Sequence, residues 1–266
     1  MRKHITGFSN PTVKYLRSLR DKKHRKRSGQ FLVEGLRLLE DARSTGRLPT
    51  TLVMAEGRAA HELLARLEAD VVAAGGEVIA TSPDILSKIT GKDNAQSVVG
   101  VFDEWDTGLA ALDRSAAPIW LVAQALRDPG NLGTMLRTGD AVGAGGLILI
   151  DDCADPFSAE AVRASMGAVF TVPLAQARWE EFLPWLRGGS GQLVAASLRD
   201  AVPYRDAAYA APCFILVGNE SQGLPEEYEA ACDLRVTMPM RGRADSLNAA
   251  VAGAVLAYEV LAGVEA

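Results

Sequence analysis

The chain has 266 residues, of which 48% are hydrophobic and 23% charged, and its formal net charge is −5. These values exclude a disordered chain, and the length favours two compact domains over one. The longest apolar runs, residues 141–150 and 249–258, fall well short of the roughly 20 residues needed to span a bilayer, which argues against a membrane protein.

Positive charge is concentrated at the beginning of the chain. Residues 1–30 contain ten Lys or Arg and one acidic residue, whereas the rest contains 18 basic and 32 acidic residues. From Ser9, the apolar Val13, Leu16 and Leu19 have the spacing of one helix face, so a basic amphipathic helix is predicted. Such clustered cations favour a polyanionic partner, and a solvated helix face is the alternative. The candidate RNA-binding residues are Lys14, Arg17, Lys22, Lys23, Arg25, Lys26 and Arg27.

The following residues have the pattern of a small α/β domain. Strands are predicted at residues 31–33, 51–54, 78–80 and 98–102, and helices at residues 35–44, 58–74 and 83–88. The pattern weakens between Asp103 and Pro118. We therefore predict a first domain over residues 1–102, a linker over residues 103–117 and a second domain over residues 118–266.

The second domain alternates apolar runs with helical segments. Its strands are predicted at residues 119–123, 147–150, 170–172, 193–196, 214–217 and 234–237. Nearly continuous apolar strands separated by helices predict a mainly parallel sheet that is covered on both faces. Ligands of such sheets bind beyond the carboxyl ends of the strands.

A first polar motif follows the strand at residues 119–123. It reads Leu126-Arg-Asp-Pro-Gly-Asn-Leu-Gly-Thr-Met-Leu-Arg-Thr-Gly, a Pro-Gly turn that opens a helix. Asn131, Thr134 and Arg137 recur at helical spacing, so polar groups emerge on one side, although an ordinary amphipathic helix produces the same pattern. The glycines do not follow the spacing of a dinucleotide-binding loop, and we discount that fold.

A second motif, Phe214-Ile-Leu-Val-Gly-Asn-Glu-Ser-Gln-Gly-Leu-Pro, is a buried strand that opens into a loop. Gly218 allows a ligand to approach the backbone closely, and Glu220 lies at the carboxyl end of the strand. A surface turn explains this loop equally well.

A third motif, Val236-Thr-Met-Pro-Met-Arg-Gly-Arg-Ala-Asp-Ser-Leu-Asn, precedes an apolar helix. Asp245 or Ser246 is predicted to cap that helix. Capping by these residues does not account for Asn248, which would lie in the first helical turn against its weak helix propensity. A functional role is therefore predicted for Asn248.

Together the three motifs resemble the SpoU branch of the SPOUT RNA methyltransferases. The family patterns read Asp-Pro-x-Asn-x-Gly-x-x-x-Arg-Thr, Gly-x-Glu-x-x-Gly and Ser-Leu-Asn, and all three occur here in that order. Ser9-Asn-Pro and Phe31-Leu-Val-Glu-Gly also resemble the substrate-binding domain of the family, which is similar to a ribosomal L30e-type fold.

This resemblance implies an α/β fold, a doubly wound parallel sheet with a trefoil knot, in a homodimer that uses S-adenosylmethionine and no metal. The implied cofactor contacts are Gly218, Asn219, Met238, Pro239 and Leu247. The implied catalytic residues are Asn131, Arg137, Glu220, Ser246 and Asn248.

The implied reaction is attack of a ribose 2′-oxygen on the methyl carbon of a sulfonium. Proposals for the family give removal of the hydroxyl proton to the residue that matches Arg137. A guanidinium stays protonated well above physiological pH, so a clamp that orients the ribose and stabilises a developing alkoxide is the physically easier role.

Ribosomal RNA is the expected substrate, because a domain similar to a ribosomal RNA-binding fold precedes the catalytic part. The alternatives are a tRNA methyltransferase and a catalytically silent RNA-binding protein of ribosome assembly. The presence of all three motifs argues against the silent protein.

Three cysteines, Cys153, Cys213 and Cys232, are too few and too scattered for a disulfide framework or a zinc site. They are predicted to be buried thiols. The first residues contain no apolar signal core, so a cytoplasmic location is expected.

Overall fold

The computed structural model describes residues 2–57, 61–219 and 221–264. The elements of the first part of the chain are β1 (Arg2–Ile5), α1 (Pro11–Ser18), α2 (Lys22–Ser28), β2 (Gln30–Glu34), α3 (Leu36–Ser44), β3 (Thr51–Ala55), α4 (Glu62–Ala73), β4 (Glu77–Thr81), α5 (Pro83–Thr90) and β5 (Val98–Asp103). The second part contains β6 (Ile119–Gln124), α6 (Pro129–Ala141), β7 (Leu147–Ile150), α7 (Ala159–Ser165), β8 (Leu174–Ala177), α8 (Trp179–Arg187), β9 (Gln192–Ala196), β10 (Val202–Pro203), β11 (Cys213–Val217), α9 (Glu226–Ala230), β12 (Leu234–Thr237) and α10 (Ala249–Val264).

Two compact units make up the chain. Unit 1 consists of Met1–Trp105 and Phe157–Phe170, and unit 2 consists of Asp106–Pro156 and Thr171–Ala266. A segment from the middle of the predicted second domain thus packs within unit 1.

Unit 1 contains a mixed five-stranded sheet in the order β1-β4-β3-β5-β2. Strands β1, β4 and β3 are parallel, and β5 pairs antiparallel with both β3 and β2. The strands predicted over residues 31–102 are present as β2 to β5, and β1 is an additional edge strand. The predicted helix at residues 58–74 is α4, and residues 58–60 lie outside the described residues.

The basic segment forms two helices, α1 and α2, instead of the single predicted helix. Asn10 Oδ1 accepts a hydrogen bond from the backbone N–H of Thr12 (2.8 Å), and Asp21 Oδ1 accepts one from that of Lys23 (2.8 Å). Each side chain therefore caps a separate helix. Because the cap formed by Asp21 starts α2, the predicted single helix is divided at this residue. The predicted apolar face is confirmed, since Val13, Leu16 and Leu19 are buried.

An aromatic cluster joins the two chain segments of unit 1. The ring of Phe157 lies 4.9 Å from that of Phe31 and 4.8 Å from that of Trp105, measured between centroids. Phe170 lies 5.5 Å from Phe102. Rings at these separations and tilts pack favourably beyond the area they bury.

Unit 2 contains a seven-stranded, wholly parallel sheet in the order β10-β12-β9-β11-β6-β7-β8. Helices α6 and α10 pack on one face. Apolar side chains of α8 and α9 pack on the other face, against a core that includes Trp120 and Phe214. The predicted doubly wound parallel sheet is confirmed, and the trefoil knot stays a prediction. The direction of winding changes between β6 and β11, where such sheets bind ligands.

The strand predicted at residues 170–172 is wrong. Ala168–Phe170 forms a 3-10 helix, and the strand of this region is β8, which begins after Pro173. Phe170 and Val172 are both buried, so their apolar character reflects packing and not strand formation.

Among the described residues, no helix is long and apolar enough to cross a membrane.

Candidate active site

A cavity of about 410 Å³ lies where the loops after β9, β11 and β12 meet. The volume falls within the roughly 300–1,000 Å³ typical of small-molecule sites. Four of the five predicted cofactor contacts, Gly218, Asn219, Met238 and Leu247, line the cavity, as does Ser246. Pro239 is exposed and is not among the lining residues that the structure describes.

Gly218 follows β11 directly, at a point where the backbone folds back on itself. A Cβ atom at this position would lie 2.6 Å from the carbonyl carbon of Gly223 and 2.7 Å from the backbone nitrogen of Leu224. Such contacts are too short for any side chain, so only glycine allows the loop to close over the end of the strand.

Asn219 ties this loop to the end of β6. Its Nδ2 donates to the carbonyl oxygen of Ala125 (2.9 Å), and its Oδ1 accepts from the backbone N–H groups of Ser221 (2.9 Å) and Gln222 (3.2 Å). The side chain of Asn219 thus shapes the cavity wall, and its polar atoms are already engaged within the protein.

The first and third motifs meet at the amino ends of α6 and α10. Asn248 Nδ2 donates to Asn131 Oδ1 over 2.9 Å, although 117 residues separate the two in sequence. Asp128, the N-cap of α6, accepts from the backbone N–H of Asn131 (2.6 Å) and fixes its position. Two of the predicted catalytic residues are therefore brought together.

The helix cap predicted at Asp245 or Ser246 is wrong. Helix α10 begins at Ala249, and Asn248 Oδ1 accepts from the backbone N–H groups of Ala250 (3.0 Å) and Val251 (3.2 Å). Asn248 is therefore the cap, a position where asparagine is favoured. Ser246 instead donates to Asp245 Oδ1 (3.2 Å) in an exposed loop.

Arg137 lies on α6, is exposed, and is not among the residues that line the cavity. Its guanidinium makes no hydrogen bond or ion pair with the residues that the structure describes. Glu220, also predicted to be catalytic, lies outside the described residues.

The sequence prediction did not include a polar cluster in the cavity wall. Ser197, Arg199 and Glu229 all line the cavity, and Ser197 Oγ donates to Glu229 Oε1 (2.6 Å). Ser197 directly follows the apolar run of β9. A polar residue at the carboxyl end of a parallel strand is a signal by which sequence reasoning could have found it. Glu229 gave no signal, because a glutamate in a short helix is ordinarily exposed.

Tyr228, the neighbour of Glu229, anchors helix α9 to the sheet. Its ring stacks on that of Trp179 with 3.9 Å between centroids, and its hydroxyl donates to Asp151 Oδ2 (3.0 Å). Burial, followed by the hydrogen bond to Asp151, raises the pKa of Tyr228 above its usual range. Tyr228 therefore stays protonated at neutral pH and holds α9 against the cavity.

The three thiols are free, and Cys213 is fully buried while Cys153 and Cys232 are half-buried. Burial raises the pKa of Cys153 to about 11 and that of Cys213 to about 12. Thiols with raised pKa values stay protonated at neutral pH and are poor nucleophiles, so the site chemistry does not rest on them.

Comparisons with known proteins agree with this geometry. Residues 118–258 match the model of the SpoU rRNA Methylase family, and residues 10–100 match the MRM3-like substrate binding domain.

Individual relatives match nearly the whole chain. It is 30% identical to a Bacillus subtilis protein named 23S rRNA (guanosine(2553)-2′-O)-methyltransferase RlmP, with 97% of this chain and 99% of that protein covered. The AdoMet-bound rRNA methyltransferase from Sinorhizobium meliloti is 40% identical, with 97% of each chain covered and a TM-score of 0.91. The SpoU methyltransferase AviRb from Streptomyces viridochromogenes, solved with AdoMet, is 28% identical, with 97% and 99% covered and a TM-score of 0.88. The chain therefore belongs to the SpoU rRNA methylase family.

Proposed function

We propose that this chain transfers the methyl group of S-adenosylmethionine to a ribose 2′-hydroxyl in 23S-type ribosomal RNA. The observation that carries the proposal is that described residues of the three family motifs lie together at the carboxyl ends of the strands of a parallel sheet, beside a cavity of about 410 Å³. The similar proteins named as 23S rRNA 2′-O-methyltransferases support the choice of reaction and of RNA.

Residues of the cavity wall would hold the cofactor. Leu198, Met238 and Leu247 provide apolar surface for a purine, while the closed turn at Gly218 presents backbone groups. The sulfonium supplies the activated methyl group, and the protein supplies position.

The linked Asn131 and Asn248 would position the ribose. Both side chains emerge at the amino ends of helices, where partial positive charge favours an oxygen that is gaining negative charge. We assign Ser246 and Glu220 to the same reactive centre on the family motifs. Arg137 would bind the RNA phosphate or the attacking oxygen and stay protonated throughout.

In a homodimer, Arg137 of one chain would reach the cavity of the other chain. Helix α6, which carries Arg137, packs against α10, and α10 exposes 47% of Val251 and 54% of Tyr258, two turns apart on one face. An apolar stripe of this kind fits a second copy of the chain, whose cavity Arg137 would then complete.

Chain mixing tests this arrangement. Dimers formed from equal amounts of Arg137→Ala and Gly218→Ala chains would regain about a quarter of wild-type activity, because half are mixed and each mixed dimer has one intact site. Activity that stays at the level of the separate variants would place Arg137 and the cofactor in the same chain.

The first domain, residues 1–102, would bind RNA through its basic helices. Lys14, Arg17, Lys22, Lys23, Lys26 and Arg27 are exposed and make no ion pair with a described residue. Arg25 differs, because it is only 4% exposed and its guanidinium donates to the carbonyl oxygens of Leu19 (2.9 Å) and Arg20 (2.8 Å). We therefore assign Arg25 to holding α1 and α2 together and leave RNA binding to the exposed six.

The proposal is tested by offering S-adenosylmethionine and either ribosomal RNA or tRNA from cells that lack this protein. We expect methylation of ribosomal RNA, and methylation of tRNA alone would make this a tRNA enzyme.

Arg137→Ala is expected to lower kcat by at least about 100-fold while cofactor affinity stays within about twofold. Arg178→Ala, at an exposed position before α8 on the opposite face of the sheet, is the control. Equal loss of cofactor binding and transfer in Arg137→Ala would mean that Arg137 shapes the cofactor pocket.

A further inference from the structure

A buried carboxylate in the cavity wall has no role in the site described so far. Glu229 is 6% exposed, lines the cavity, and lies on the short helix α9. A buried ionised carboxylate is unfavourable unless its surroundings compensate the charge. The partners of Glu229 therefore decide how much negative charge remains at the wall.

Ser197 fixes the carboxylate without neutralising it. Its hydroxyl donates to Glu229 Oε1 (2.6 Å) and accepts from the backbone N–H of Arg199 (3.0 Å). The backbone of Ser197 is in turn held by the carbonyl oxygen of Val236 (3.0 Å). The carboxylate is thus rigidly placed at the end of β9.

The nearest cation is only a weak partner for Glu229. Arg199 Nη1 lies 3.6 Å from Glu229 Oε2, beyond hydrogen-bond distance, and the arginine side chain is 61% exposed. The same Nη1 lies 3.9 Å from the exposed carboxylate of Glu226. The hydroxyl of Ser197 and the screened, shared charge of Arg199 therefore stabilise the carboxylate of Glu229 but offset only part of its negative charge.

A rigidly held carboxylate in a concave wall, with its charge only partly offset, favours cationic ligands. S-adenosylmethionine has a positively charged sulfonium, and loss of the methyl group leaves a neutral thioether. The amino and carboxylate groups of the two molecules are the same. A negative wall therefore distinguishes substrate from product by one unit of charge.

We propose that Glu229 makes this cavity prefer the sulfonium cofactor over its thioether product, and so is a specificity-determining residue that favours product release. The inference rests on the proposed function, since it requires that the cavity hold the cofactor.

The test is calorimetric titration of the full chain, without RNA, with three ligands. S-adenosylmethionine and sinefungin both have a cation at the reacting position, whereas S-adenosylhomocysteine has a neutral sulfur. Glu229→Gln keeps an oxygen that accepts from Ser197 and removes only the charge. We expect the Kd of both cationic ligands to rise about tenfold, which corresponds to about 1.4 kcal/mol, and the Kd of S-adenosylhomocysteine to change less than about twofold.

Two further variants serve as matched controls. Glu226→Gln makes the same change on the same helix near the same arginine, but at a carboxylate that is 89% exposed, and its ligand preference should equal that of the wild-type chain. Glu229→Asp keeps the charge and should keep the preference for cations. If Glu229→Gln fails to fold, Glu229→Leu removes the charge with an apolar residue suited to burial, and the same loss of preference is expected.

Equal weakening of all three ligands in Glu229→Gln would overturn the inference, because it would show that the carboxylate supports the loop or binds a group common to all of them. Unchanged affinities would overturn it as well. A wild-type chain that binds none of the ligands would contradict the proposed function itself, so the two failures are distinguishable.

Discussion

Single atoms decide the shape of the cavity at Gly218. Gly218→Ala would place a methyl group 2.6 Å from the backbone of Gly223 and force the loop open. We expect cofactor affinity to fall at least about tenfold, since the displaced loop forms the wall of the site. Gly242→Ala, in a neighbouring loop with no atom within 4 Å of the added methyl group, is the control for calorimetric titration. Comparable losses in the two variants would show that the close approach at Gly218 is unimportant.

Asn248 combines a structural and a functional contact, and two substitutions separate them. Asn248→Ser keeps a capping oxygen for α10 but is too short to reach Asn131, so stability should change little while methyl transfer falls. Asn248→Ala removes the cap as well and should lower the free energy of unfolding by about 1 kcal/mol. Denaturant titration and transfer rates measure the two effects. Full activity of Asn248→Ser would remove the contact to Asn131 from the mechanism.

The sequence identified Asn248 as unusual, but for an incorrect reason. Its position before α10 is explained by capping, and its remaining amide group is what links it to Asn131. That link joins residues far apart in sequence, so periodicity and propensity could not predict it. The burial of Glu229 could not be predicted for a related reason, because it depends on how α9 packs on the sheet.

At the scale of elements, α7 and its flanking aromatic residues stabilise unit 1. Phe157→Ala would remove a ring in contact with Phe31 and Trp105, and we expect a loss of roughly 3–5 kcal/mol in the free energy of unfolding. Phe8→Ala is the control, because Phe8 is 55% exposed and its loss should change stability by less than about 0.5 kcal/mol. Similar unfolding midpoints for the two variants would contradict the packing described for this segment.

Element prediction succeeded where apolar runs are continuous and failed where caps or packing intervene. Strands β6, β7 and β11 were predicted well because all of their residues are buried, whereas the exposed strand β10 was not predicted. The break between α1 and α2 depends on the cap formed by Asp21, which the periodicity of the apolar residues conceals. Residues 170–172 were misassigned because a buried 3-10 turn and a buried strand have the same apolar composition.

At the scale of the whole molecule, the concentration of positive charge in α1 and α2 is the basis for our proposal that these helices bind RNA. Replacing Lys22, Lys23, Lys26 and Arg27 by glutamine should weaken RNA binding and lower the slope of log Kd against log salt by roughly 0.7–0.9 for each RNA phosphate that the variant no longer neutralises. Cofactor affinity should be unchanged. Lys3→Gln with Arg66→Gln is the control, since these cations are already paired with Glu77 and Glu62. An unchanged slope would exclude the basic helices from the RNA interface.

The charge asymmetry follows from counting charged residues along the sequence. The presence of two compact units was predicted from the chain length. Composition and length did not indicate that Phe157–Phe170 packs within unit 1, since that packing depends on an aromatic cluster assembled from distant parts of the chain.

The most direct test of the central claim is the chemical position of the transferred methyl group. RNA methylated by the full chain with labelled S-adenosylmethionine is hydrolysed with alkali, which requires a free 2′-hydroxyl to cut the adjacent phosphodiester. A methylated ribose 2′-oxygen predicts label in alkali-resistant dinucleotides. Label that is released in mononucleotides carrying a methylated base would contradict the account.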